Sequence, residues 1–269
     1  MHSKLHIRFL LVVVLAMLAA GTGCNRLKAR DKLNKGVNAY KNGAFDAAIE
    51  DFKQAKELDP KLANARLYLA TAYASLYTPG APAPENIRNG EQAIKEYQEV
   101  LDDDPNSLPA IDGIGSILFN MAGNPFDPKR MEESKTYHKR HISISPNDPE
   151  PYYWIGVIDW TLAFRGNTDM RSDYNKTVKK TIRGDDPMPP KLSAQFAEKY
   201  GGVVDEGIDL LQKGMTLRPD YSDAMAYLNL LYRQKSDMET SPEARDHDID
   251  LANDLVDKVK AIKQRASGG

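Results

Sequence analysis

The sequence predicts an all-α fold built from repeated helical hairpins. The first observation is the stretch Gly36 to Ala65, where two helical patterns are separated by an Asn42-Gly43 turn and closed by Asp59-Pro60. The second is that later prolines repeat the residue spacing found before Pro60. Neither helix of such a hairpin can bury its apolar face alone, so successive hairpins must stack on one another.

The second helix of this hairpin shows the clearest periodicity. Its apolar residues recur at spacings of three and four, which is one face of an α-helix: Ala48, Ile49, Phe52 and Ala55. The first helix carries a similar face: Leu33, Gly36, Val37 and Tyr40. Gly43 suits the left-handed conformation that often follows a helix. Pro60 excludes the residue before it from the α region, so the second helix should end near Leu58 or Asp59.

Four prolines mark copies of this pattern: Pro60, Pro105, Pro146 and Pro219. Twelve residues before them stand Ala48, Ala93, Ser134 and Gly207. Eight residues before them stand Phe52, Tyr97, His138 and Leu211. Five residues before them stand Ala55, Val100, His141 and Gly214. A small residue at one place lets two helices approach, and a large residue beside it fills the space between them.

These residues resemble the tetratricopeptide repeat (TPR), a unit of about 34 residues with small, aromatic and alanine positions and a closing proline. The resemblance covers roughly Ala29 to Gln264 and is closest in the first unit. It implies a right-handed solenoid of about five αα-hairpins with a concave surface. His141 departs from the family's alanine. Successive prolines are 45, 41 and 73 residues apart, so later units must carry insertions between their helices.

Residues 1–23 have the pattern of a targeting segment. Lys4 and Arg8 precede an apolar run from Phe9 to Ala20, which suits a signal peptide. Small residues then lead to Cys24, the sole cysteine. This arrangement resembles a bacterial lipoprotein signal and implies lipidation of Cys24. The alternative is a plain secretory signal followed by an incidental free thiol.

A lone cysteine has no disulfide partner in an oxidising compartment, which favours lipidation. Residues 24–28 would tether the domain 29–265 to the membrane. Asn25 favours the outer membrane, with the chain facing the periplasm. Removing Lys4 and Arg8 from a chain of net charge −2 leaves −4, so nothing favours a nucleic-acid partner.

The later helices are expected at these ranges: Ala63–Tyr77, Ile87–Leu101, Pro109–Met121, Lys129–Ile144, Pro151–Arg165, Ala194–Leu217, Tyr221–Lys235 and Pro242–Gln264. A proline-rich loop, Thr78–Glu85, separates the first two. We expect a break or bend near Gly201-Gly202 and a disordered tail at 266–269. The long insertion 166–193 has room for a short helix at Met170–Ile182. It is either a functional segment or a surface excursion packed on neighbouring helices.

Candidate catalytic and metal-binding groups are few. His138 and His141 are three residues apart on one helix, but both fall in packing positions, so core packing is favoured over metal binding. Asp102, Asp103 and Asp104 lack the spaced ligands of a calcium loop and are interpreted as a charged helix end. The sequence contains no phosphate loop, zinc-protease motif or nucleophile elbow. We therefore predict no enzyme activity, no catalytic residue, no metal and no cofactor.

In the resembled family the first helix of each unit lines the concave surface. Carried over by position, the protein-binding groove would contain Tyr40, Lys41, Asn64, Thr71, Asp112, Phe119, Asn120, Tyr153, Trp160 and Arg233. Aromatic rings with a few polar groups suit an extended peptide or a partner helix. Phe119, Tyr153 and Trp160 are equally compatible with ordinary packing between repeats.

The resemblance implies a lipid-anchored scaffold that binds envelope or secreted proteins during envelope assembly or secretion. A client-specific periplasmic chaperone or a subunit of a secretion complex is the alternative. A third hypothesis is a wall-acting hydrolase on a helical solenoid, which would require two carboxylates facing each other in a closed cleft.

Overall fold

The computed structural model describes residues 24–267, which form ten helices and no β-strand. The helices are α1 (24–41), α2 (Phe45–Leu58), α3 (Ala63–Leu76), α4 (Pro84–Asp103), α5 (Leu108–Met121), α6 (Pro128–Ile144), α7 (Glu150–Thr177), α8 (Pro190–Leu217), α9 (Ser222–Ser236) and α10 (Pro242–Ser267). The predicted all-α class is confirmed. The predicted signal peptide, 1–23, lies outside the described residues, as do residues 268–269.

The four prolines that define the repeat close helices in the same way. The residue before each proline is the helix C-cap, with φ between −142° and −130° and ψ between 75° and 92°. None of these residues is in the α region, which a following proline disfavours. Each of these residues donates its N–H to the carbonyl five residues before the proline, which belongs to Ala55, Val100, His141 or Gly214.

In three of the four repeats, the large residue eight positions before the proline packs against a glycine on another helix; in the third repeat, His138 instead stacks on Trp154. A Cβ added at Gly36 would lie 2.5 Å from the Phe52 ring, and one at Gly113 would lie 2.5 Å from the Tyr97 ring. Gly156 has the same relation to Leu211. These glycines let the helices approach until the larger side chain fills the gap. They are not the small residues that precede each proline by twelve positions in the repeat pattern.

The chain divides into two compact units, with the boundary between Gly123 and Asn124. In the N-terminal unit, α2, α3, α4 and α5 pack in succession, and α3 also contacts α5. In the C-terminal unit, α6 to α10 pack in succession, and α7 also contacts α9. Contact between neighbouring and alternate helices is what stacked hairpins produce. None of the helices in residues 24–267 has both the length and the apolarity that a membrane-spanning segment requires.

The structure differs from the sequence prediction at the insertion 166–193. α7 does not end at Arg165 but continues to Thr177, and α8 begins at Pro190 and passes Gly201-Gly202 without a break. The insertion therefore lengthens one hairpin, and only residues 178–189 are non-helical. The extension stays helical because its inward residues, including Asn167 and Arg171, are buried.

Both ends of the described part of the chain are helical. The proposed tether, 24–28, is helical and belongs to α1, since nothing in it interrupts a helix. The predicted disordered tail at 266–269 begins too early, because α10 runs to Ser267. By contrast, the predicted left-handed turn residue is confirmed, with φ of 74° at Gly43.

Candidate functional site

An apolar groove of about 320 Å³ opens in the N-terminal unit. It lies between α1 and α3, with Phe52 from α2 at its floor and Pro109 from α5 at one end. We call this surface the α1–α3 groove: Val37, Tyr40, Lys41, Phe52, Leu67, Tyr68, Thr71 and Pro109. Periodicity places these residues here because positions three and four apart share one face of a helix.

Hydrogen bonds and ring contacts hold the walls of the α1–α3 groove. Tyr40 Oη lies 2.9 Å from Ser75 Oγ and links α1 to α3. Thr71 Oγ1 lies 3.2 Å from Tyr97 Oη and links α3 to α4. Burial raises the pKa of the Tyr97 hydroxyl, so it stays protonated. The groove is therefore preformed, which reduces the entropy lost when a ligand binds.

Two features give the α1–α3 groove its binding chemistry. The Tyr68 side chain is 39% exposed although its ring packs against Phe52, with centroids 5.8 Å apart. Lys41 is exposed and forms no ion pair with any described residue. The groove thus offers apolar and aromatic surface beside one uncompensated positive charge.

The structure brings three of the predicted groove residues together here: Tyr40, Lys41 and Thr71. Asn64 is exposed on α3 but outside the groove, and Asp112, Phe119 and Asn120 are half-buried on α5, also outside it. The prediction did not include Tyr68 or Leu67. Tyr68 lies one helical turn before Thr71, so the three-residue spacing could have identified it.

In the C-terminal unit, two predicted groove residues border a different cavity. Trp160 and Arg233 both line a space of about 330 Å³. Tyr153 instead packs in an aromatic cluster, with its centroid 5.3 Å from that of Tyr221 and 5.7 Å from that of Tyr227. Burial raises the pKa of Tyr153 to about 12. Tyr153 is half-buried and packs against these neighbouring rings.

The two histidines on α6 are core residues. His138 is 2% exposed and stacks on Trp154, with centroids 6.0 Å apart. Burial lowers the pKa of His138 to about 4. His141 is 4% exposed and its Nε2 lies 3.4 Å from Asp148 Oδ2. Within residues 24–267, no three or more His, Cys, Asp and Glu side chains are grouped as metal ligands would be.

The most strongly perturbed carboxyl group belongs to a buried ion-pair network. Asp159 is fully buried, and burial raises its pKa to about 7, although the Lys135 ammonium lies only 2.6 Å away. Lys135 also contacts Glu206 at 2.6 Å, and so does Lys139. A raised carboxyl pKa can mark a catalytic acid. Asp159 lines neither of the two cavities described above, and its ion-pair network ties α6, α7 and α8 together.

Comparison with known proteins identifies structural relatives only. No protein-family model matches the sequence, and no curated protein matches it. The crystal structure of MamA protein is 16% identical, with a TM-score of 0.56, covering 90% of this chain and 94% of that chain. MamA 41-end from Desulfovibrio magneticus RS-1 is also 16% identical, with a TM-score of 0.56, covering 88% of this chain and 96% of that chain.

YrrB, described as a TPR protein with an unusual peptide-binding site, is 16% identical, with a TM-score of 0.49 over 86% of this chain and 90% of that chain. Identity at the level of the MamA comparisons establishes the fold and nothing further. The described residues of this chain share the all-α fold of the MamA structures, and their stacked helical hairpins are the fold that the TPR resemblance predicts.

Proposed function

We propose that the chain is a lipid-anchored scaffold of the bacterial envelope that binds a segment of another protein in the α1–α3 groove. The observation that carries the proposal is the groove itself, a preformed apolar space with a half-exposed tyrosine and an uncompensated lysine at its edge. Concave sites of this size that are mainly apolar, with a few fixed polar groups, are typical of ligand binding.

The chemistry of the groove specifies the occupant. Phe52, Leu67 and Tyr68 would receive one large apolar or aromatic side chain. Such anchors supply most of the free energy of protein–protein binding. Lys41 would pair with an acidic residue next to that anchor, since opposite charges across an interface fix the register. The partner is therefore a segment in which a large apolar residue neighbours Asp or Glu.

Peptide selection tests this assignment. A displayed library of random peptides, selected on the full chain, should yield peptides that combine a large apolar residue with a neighbouring acidic one. Tyr68→Ala should weaken their binding about tenfold, because loss of an aromatic anchor costs more than about 1 kcal/mol.

Ile87→Ala is the matched control for this experiment. Ile87 is 40% exposed and lies on α4 outside the groove, whereas Tyr68 is 39% exposed within it. Binding by the control should equal that of the unaltered chain. Peptides without the apolar–acidic pair, or equal binding by the Tyr68→Ala variant, would refute the groove as the site.

The proposed membrane anchor is lipid attached to Cys24, inferred from the sequence around this residue. Its thiol is exposed and unpaired, which is compatible with modification. More than one acyl chain on this residue would give stable membrane attachment. We place the anchored chain at the outer membrane, facing the periplasm, because Asn25 rather than aspartate follows the cysteine.

Radioactive palmitate labelling in bacteria tests the anchor. The unaltered chain should incorporate label and sediment with membranes, whereas Cys24→Ser should lose both properties, because the sole acceptor thiol is gone. Separation of inner and outer membranes then checks the location. Persistent labelling of the Cys24→Ser chain would show that this residue is not the lipidation site.

A further inference from the structure

A second cavity, of about 530 Å³, lies in the C-terminal unit between the C-terminal half of α7, the end of α9 and the loop 178–189. We call it the polar cleft, and its principal lining residues are Phe164, Asn167, Arg171, Ser172, Gln234 and Asp237. Its volume falls within the range of about 300–1,000 Å³ that is usual for small-molecule sites. It is separate from the α1–α3 groove, which lies in the N-terminal unit.

The charges of the polar cleft disfavour an anionic ligand. Arg171 is 5% exposed, and its Nη2 lies 2.8 Å from Asp237 Oδ2. Lys176, at the edge, has its Nζ 2.8 Å from Asp173 Oδ1. A carboxylate or phosphate would have to displace a carboxylate of the protein from each cation. The cleft therefore favours a neutral ligand.

Two polar atoms in the cleft have no hydrogen-bond partner within the described part of the chain. Gln234 is 9% exposed and accepts from Asn167 Nδ2 at 2.9 Å through Oε1, which leaves its Nε2 donor unused. Asp237 Oδ2 accepts from Asn167 Nδ2 at 2.8 Å and pairs with Arg171, which leaves its Oδ1 acceptor unused. Neither atom is completely buried, so both remain accessible to a ligand in the cleft.

The unused donor and acceptor match a pair of hydroxyl groups, because a hydroxyl both donates and accepts. Ser172 adds an exposed hydroxyl to the same lining. An aromatic surface borders these groups. The Phe164 side chain is 43% exposed, and its ring stacks on Trp160 with centroids 5.1 Å apart and planes at 20°.

We propose that the polar cleft binds a neutral carbohydrate. Adjacent sugar hydroxyls would bond to Gln234 Nε2 and Asp237 Oδ1, and the C–H face of the ring would pack on Phe164. An aromatic ring provides apolar contact area for such a face, and the amide and carboxylate fix its orientation. The proposal does not depend on the protein partner of the α1–α3 groove.

Titration of the full chain tests the proposal. The probes are N-acetylglucosamine, its β-1,4-linked disaccharide, maltose and galactose, each taken to millimolar concentration. Calorimetry measures binding, and tryptophan fluorescence reports on Trp160. At least one sugar should bind and change the emission. Phe164→Ala should weaken this binding about tenfold.

A second variant tests the amide donor of the cleft, and a control tests the loss of an exposed apolar side chain outside the cleft. Gln234→Glu preserves the acceptor used by Asn167 but removes the unused donor, so it should also weaken sugar binding. Ile87→Ala removes an equally exposed apolar side chain elsewhere and should bind as the unaltered chain does. The proposal is overturned if no sugar binds or if either cleft variant binds sugar as the unaltered chain does.

Discussion

Glycine is the residue that sets how closely the helices of this protein pack. Gly156 faces Leu211 so closely that a Cβ would clash with its side chain, whereas a Cβ at Gly202 would meet nothing within 4 Å. Both glycines lie in helices of the C-terminal unit. Their sequence context is similar, but one is required by packing and the other is not.

These two glycines should respond to alanine in opposite directions. Gly156→Ala should lower the free energy of unfolding by about 1–3 kcal/mol, because the added methyl overpacks a filled interface. Gly202→Ala should raise it by about 0.5–1 kcal/mol, because alanine is the better helix former where space is open. Urea denaturation measures both. If the free energy of unfolding changed in the same direction in both variants, packing around the glycine would not be what sets the effect of alanine.

At the scale of elements, the loop 178–189 is fixed by a buried arginine. Arg171 donates from Nη1 to the carbonyl oxygens of Arg183 at 2.8 Å and Asp186 at 2.9 Å. Asn175 exchanges two hydrogen bonds, both of 2.8 Å, with the backbone of Ile182. α7 thus provides the surface on which the loop is held.

Arg171→Ala should therefore release the loop. Two loop carbonyls and the Asp237 carboxylate would lose their partner, and breaking such a buried pair costs about 3–5 kcal/mol. Hydrogen exchange should accelerate at the amides of Ile182 and Arg183. Lys176→Ala is the control, because that ion pair is exposed on the same helix and contributes little. Unchanged hydrogen exchange in the Arg171→Ala variant would show that Arg171 does not hold the loop 178–189 in place.

The sequence predicted elements well wherever local residues determine them. The ends at Pro60, Pro105, Pro146 and Pro219 follow from the restriction that proline places on the preceding residue. The extension of α7 beyond Arg165 was missed because it depends on tertiary contacts. Its polar inward residues, Asn167 and Arg171, bond to residues more than ten positions away, which periodicity of apolar residues does not reveal.

The candidate site was predicted only in part for the same reason. Position on the first helix of a repeat identified Tyr40, Lys41 and Thr71, because helical geometry fixes which residues share a face. It did not identify Pro109, which reaches the groove from α5. Nor could it separate Trp160, which borders a cavity, from Tyr153, which packs against the core and lines none of the cavities described above.

For the whole molecule, each unit has its own binding chemistry. The N-terminal unit has an apolar groove edged by Lys41, which forms no ion pair within residues 24–267, and the C-terminal unit has a cleft lined by amides and ion-paired charges beside two stacked rings. Lipid on Cys24 would hold both at a membrane surface, where a protein segment and a carbohydrate can be bound by one chain. Substitutions confined to one unit are expected to abolish the binding of that unit's ligand and to leave the binding of the other ligand unchanged.

Site-specific photocrosslinking in bacteria tests the central claim most directly. Tyr68 is replaced by p-benzoylphenylalanine, and the same replacement at Ile87 serves as the control. We expect an adduct at position 68 alone, with the crosslinked segment, identified by mass spectrometry, carrying a large apolar residue beside an acidic one. An adduct at both positions, or none at position 68, would contradict the assignment of the α1–α3 groove as the protein-binding site.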